Sequence, residues 1–74
     1  MTNAGLVDEL VNAALKLIAL GDDAVVDAEA VARAIGREPD DSELPEAFVA
    51  IDLQGLLMLD TWDRDTGLPR AVRA

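Results

Sequence analysis

Residues 48–72 read FVAIDLQGLLMLDTWDRDTGLPRAV, and the order of residue types in this stretch decides the fold. Phe48 and Ile51, with Leu44 upstream and Val49 beside them, recur at the spacing of one helix face. Gly55 stands where such a helix closes, because glycine adopts the left-handed cap without a Cβ clash. Leu56 to Trp62 then reads as a strand, and Leu68 to Arg73 as its return. Between them, Asp63-Arg64-Asp65-Thr66-Gly67 is a turn cluster with glycine at the left-handed position. If Trp62 opposes Leu68, then Asp60 opposes Arg70 and Met58 opposes Val72. That register puts an opposite-charge pair and two apolar pairs on one face, with Leu59 and Ala71 on the other. Residues 56–59 are apolar on both faces, so the pattern leaves open which one is buried.

Working outward from this segment, the third helix spans about 43–54 and begins between Asp40 and Pro45. Proline is tolerated in a first turn, where its missing N–H has no partner to lose. Glu43 and Glu46 suit the positive end of the helix dipole. Arg37-Glu38-Pro39-Asp40-Asp41 is a loop, since Pro39 disfavours helix at the residue before it. A short helix precedes the loop at about 28–35, with Asp27 at its N-cap position, Val31, Ala32 and Ile35 on one face, and Gly36 after it. Val25-Val26 is a β-branched pair suited to one short edge strand, following a turn at Asp22-Asp23. The first helix covers 4–20, with Asn3 as its cap and Gly21 past its end. Its apolar positions form two adjacent stripes, Leu6/Leu10/Ala13/Leu17/Leu20 and Val7/Val11/Ala14/Ile18, with Leu15 at the edge. Together they cover roughly 220° of the circumference, about twice what a surface helix needs.

The whole chain has 74 residues, 15 acidic against 6 basic side chains, and a net charge of −9. This length allows one domain, residues 1–74, with one small core. Cysteine and histidine are absent, which excludes a disulfide framework and any Cys/His zinc site. With 51% hydrophobic residues the chain is too apolar for a disordered acidic tail. No apolar run approaches the length of a membrane span. The start, Met1-Thr2-Asn3-Ala4, lacks the pattern of a signal peptide, so the expectation is a cytoplasmic protein with no membrane contact.

The order helix, short strand, helix, helix, hairpin resembles the winged helix-turn-helix superfamily over about residues 4–73. VVDAEAVARAIG at 25–36 resembles that family's short strand and second helix. FVAIDLQGLLML at 48–59 resembles the end of its third helix running into the first wing strand, and DTWDRDTGLPRAV at 60–72 resembles the wing. The resemblance implies an α+β, mainly α, three-helix winged-helix domain with a C-terminal β-hairpin wing. It also implies, in many members, DNA binding through the third helix and a role in transcription or genome handling. Fold alone does not fix function.

From Asp40 to Gln54 this chain holds Asp40, Asp41, Glu43, Glu46 and Asp52, and no Lys or Arg. Five negative charges oppose the counterion release that drives binding to a polyanion. Protein contact is therefore the expected mode of action, with Asp40, Asp41, Glu43, Glu46 and Trp62 facing a basic protein partner. The excess apolar surface of the first helix predicts a homodimer, through Val7, Val11, Leu15 and Ile18 or else through the Leu6/Leu10/Leu17 stripe. The alternative is a DNA-binding regulator with a solvent-adapted acidic surface, in which Arg37, Arg64, Arg70 and Arg73 contact phosphates. A third reading is a DNA mimic occupying a nucleic-acid site on another protein.

Catalysis finds little to work with. There is no His for acid–base transfer, no Cys nucleophile and no phosphate-binding glycine loop. Asp65-Thr66-Gly67 matches the aspartic-protease tripeptide, but three residues are a weak signal and a hairpin turn is much the better account of them. Counted from Asp63, the calcium-loop glycine falls one place early and position 12 is Ala74, so that pattern fails. The expectation is a non-catalytic module with no metal and no cofactor.

Overall fold

The computed structural model describes residues 4–21 and 25–73. The Asn3 cap and the Asp22-Asp23 turn expected from the sequence lie outside these residues. Three helices, α1 (Ala4–Leu20), α2 (Ala28–Ala34) and α3 (Leu44–Gln54), combine with three strands, β1 (Val25–Val26), β2 (Met58–Trp62) and β3 (Pro69–Arg73). The result is a small compact α+β domain whose one antiparallel sheet has the order β1-β3-β2.

The core gathers the apolar stripes that the sequence separates. Leu6, Val7, Leu10 and Ala14 of α1 meet Ala28, Val31 and Ala32 of α2 and Leu44, Ala47, Phe48 and Ile51 of α3. Leu57, Leu68 and Val72 close it from the hairpin side. Among the described residues, no polar or charged side chain is buried. The largest buried side chain is Phe48, with no exposed surface.

The helix ends follow local chemistry. Gly55 caps α3 in the left-handed conformation at φ 67°, and its N–H donates back to the Asp52 carbonyl. Gly36 follows α2 at φ 78°. Asp27 occupies the N-cap position of α2 with extended backbone, and its carbonyl accepts from the Val31 N–H, but its side chain makes no capping bond. At α3 the capping side chain lies two residues before Glu43. Asp41 accepts the Leu44 N–H at its carbonyl (3.1 Å) and the Glu43 N–H at Oδ1 (2.9 Å), as an N-cap residue does.

The hairpin corrects the expected register by one residue. Trp62 opposes Pro69, Asp60 opposes Ala71, Leu59 opposes Val72 and Met58 opposes Arg73. The cause lies in the turn. Asp63 joins the ladder, its N–H donating to the Leu68 carbonyl (2.9 Å) and its carbonyl accepting from the Gly67 N–H (2.8 Å). Its Oδ1 also accepts the Asp65 N–H at 2.9 Å, so the loop tightens by one residue. A one-residue change of pairing exchanges the partners across the sheet. Leu59 and Val72, with Val26 opposite Val72 on β1, therefore form the inward face. Met58 and Asp60 face outward, with Met58 60% exposed, and the alternation is interrupted at Thr61 (φ 48°) before Trp62, which is 37% exposed.

Candidate interaction surface

The acidic segment expected to meet a partner divides into two parts with different roles. Asp41 is half-buried and engaged within the chain, where Arg37 Nη1 contacts its Oδ2 at 2.8 Å. The same nitrogen lies 3.7 Å from Glu43 Oε2. The Asp41 carboxyl is held below its ordinary value of 3.8, first by the hydrogen bond from the Glu43 N–H and then by the Arg37 guanidinium. Asp41 thus organises the start of α3. Asp40, Glu43 and Glu46 are exposed.

The solvent face of α3 carries a feature that the sequence reading missed. Leu44, Ala47, Phe48 and Ile51 point into the core, so the opposite side presents Glu46, Val49 and Leu53. Val49 is 45% exposed and belongs to this outer face rather than to the buried one. Leu53 is 81% exposed, one turn further along. The available signal was spacing: Val49 and Leu53 are four apart and out of phase with Leu44, Phe48 and Ile51. Two aliphatic side chains with Glu46 on the same face and Asp52 on its flank give an apolar centre with an acidic margin.

The arginines are largely engaged within the chain. Besides Arg37, Arg70 Nε lies 3.6 Å from Asp63 Oδ2, and Arg73 Nε lies 3.7 Å from Asp60 Oδ2. The register change explains these partners, since Asp60 opposes Ala71 and reaches diagonally to Arg73. Arg64, at the hairpin turn, is exposed and has no carboxylate partner among the described residues. Trp62, 37% exposed, pairs with Pro69 at the end of the ladder next to the hairpin turn.

On α1 the expected self-association set splits. Val7 is 4% exposed and lies in the domain's own core, so it has no surface left for a second copy. The same holds for Leu6 and Leu10 of the alternative stripe. Val11 and Ile18 are half-buried on one flank, with Leu15 43% exposed beside them. Ala13 and Leu17 are half-buried on the other flank, which ends in Leu20 at 85% exposure. The wide apolar arc is thus a buried centre with two part-exposed margins.

Among the described residues, no group of three or more acidic side chains is arranged to hold a metal ion. No described helix is long and apolar enough to cross a membrane. Comparison with protein-family models, with curated proteins and with solved structures finds no match to this chain.

Proposed function

We propose that this chain is a non-catalytic module of winged-helix type that acts by binding a protein with a basic surface, in a gene-regulatory or genome-handling setting. The order of elements, with a short strand and a C-terminal hairpin sharing one sheet around three helices, supports the winged-helix reading. The observation that carries the functional reading is the outer face of α3, where Val49 and Leu53 are bordered by Glu43, Glu46 and Asp52 and the segment from Asp40 to Gln54 itself contributes no Lys or Arg. An apolar centre within a charged rim is the usual anatomy of a protein contact. The same face would repel a phosphate backbone.

The test is a pair of titrations of isotope-labelled protein at low salt, read by amide shifts. A lysine-flanked, leucine-containing helical peptide is expected to move the amides of residues 43–54, and Leu53→Glu to abolish the response. Duplex DNA is expected to leave them unmoved. Arg64 supports the alternative reading, because it is a free cation at the tip of the hairpin. Salt-sensitive DNA binding that disappears in Arg64→Ala plus Arg70→Ala would replace the protein-contact reading with that one.

A further inference from the structure

A groove of about 390 Å³ runs along α1 beside the end of α2. Ala13, Leu17 and Leu20 form one wall and Ala34 and Ile35 the other, while Glu9 and Lys16 stand on the rim. Leu20, with 85% of its surface exposed, is the most exposed large apolar side chain among the described residues.

Lys16 is the single lysine of the chain, and it makes no ion pair among the described residues. Its helix neighbours three and four places away are Asn12, Ala13, Ala19 and Leu20, none of them acidic. Glu9 is equally unpaired, with Gly5, Leu6, Asn12 and Ala13 around it. The two cannot meet within one chain. Seven residues at a rise of about 1.5 Å each set them roughly 10.5 Å apart along the axis.

A second α1 laid antiparallel resolves both. With its midpoint between Asn12 and Ala13, Glu9 opposes Lys16 of the second copy, and Lys16 opposes Glu9 of the second copy. Two-fold symmetry makes both pairs together, since residue i meets j wherever j meets i. In the same register Leu20 falls over Gly5 of the second copy, which offers no side chain to obstruct it. We propose that a second copy of this chain occupies the groove, forming a two-fold antiparallel dimer in which Glu9 and Lys16 pair reciprocally across α1. This goes beyond the α3 reading and leaves that face open. The opposite margin of α1 gives no such match, because Val11, Leu15 and Ile18 have Asp8 beside them and no cation.

Sedimentation equilibrium of the full chain, with helicity followed by circular dichroism, tests the arrangement. The wild-type chain is expected to be dimeric at high micromolar concentration. Glu9→Lys and Lys16→Glu each turn two attractive pairs into two repulsive ones, and each is expected to weaken the dimer about tenfold. The first moves the net charge towards neutrality and the second away from it, so a shared loss cannot come from overall repulsion. The double exchange, Glu9→Lys with Lys16→Glu, keeps the net charge and is expected to restore dimerisation. Both positions are exposed, so the variants are expected to keep wild-type helicity. A monomeric wild-type chain, single reversals without effect, or a double exchange as weak as the singles would each overturn the proposal. Dissociation by Leu15→Lys with the charge variants silent would also overturn it, and would place the contact on the other margin.

Discussion

Arg37 and Asp41 meet side chain to side chain at 2.8 Å across the loop that leads into α3. The second carboxylate oxygen of Asp41 accepts the Glu43 N–H at 2.9 Å. One residue thus joins the exit of α2 to the first turn of α3, and the link depends on its negative charge.

The charge dependence predicts a pH effect. The folded-state pKa of Asp41 lies below the ordinary value of 3.8. Its stabilising contribution is therefore complete above that value and is lost as pH falls through the lower folded one. Asp41→Asn can still cap the turn, because asparagine caps about as well as aspartate. It is expected to unfold somewhat more easily at neutral pH and to show a flatter loss of stability below about pH 4. Urea midpoints at a series of pH values, followed by circular dichroism, measure both effects.

Two glycines with the same backbone sign separate conformational cost from steric cost. Gly55 (φ 67°) has open space where a Cβ would stand, whereas at Gly67 (φ 70°) that Cβ would lie 3.3 Å from Pro45 Cβ and Cγ. Gly55→Ala is expected to cost about 1 kcal/mol, the left-handed penalty alone. Gly67→Ala is expected to cost more, because the hairpin turn must also move off the first turn of α3. Chemical denaturation of the two variants ranks them directly.

Thr61 holds φ 48° within β2, a conformation that a β-branched side chain adopts at a cost. Thr61 is exposed. Replacing it with asparagine, which tolerates the left-handed region, is expected to stabilise the domain by about 1 kcal/mol. A rise in the thermal midpoint would register the gain, and a fall would show that Thr61 has a role the strain conceals.

The two faces of α3 should respond oppositely to truncation. Phe48→Ala removes a side chain with no exposed surface and is expected to cost about 3–5 kcal/mol. In a domain this small that is most of the available stability, so the variant should lose its cooperative thermal transition. Leu53→Ala is expected to change stability by no more than about 0.5 kcal/mol while weakening partner contact. A destabilised Leu53→Ala would mean that the side chain serves the fold.

The helices were legible because periodicity and punctuation agree. Leu44, Phe48 and Ile51 mark the inner face of α3, and Gly55 and Gly36 occupy the left-handed positions that glycine alone fills cheaply. The hairpin register was not legible, because it turns on whether Asp63 belongs to the turn or to the ladder. Hydrogen bonds to its backbone and carboxylate decide that, and hydrophobic pattern is silent about them. Val7 lies in the core although both α1 stripes look alike in sequence, because packing from α2, α3 and the sheet determines which part each neighbour covers. Asp41 read as one acidic residue among several. Its capping role depends on the Arg37 side chain reaching across the loop, which spacing alone does not reveal.

The middle strand of the sheet, β3, follows both of its neighbours along the chain. β1 and β2 each find their hydrogen-bonding partner only there. During synthesis, both must leave the ribosome with their backbone groups paired to water. Leu68 and Val72, which close the core, arrive at the same late moment. Assembly therefore cannot proceed element by element from the N-terminus. Until β3 emerges, the core lacks Leu68 and Val72, and the sheet has no centre for β1 and β2 to pair with.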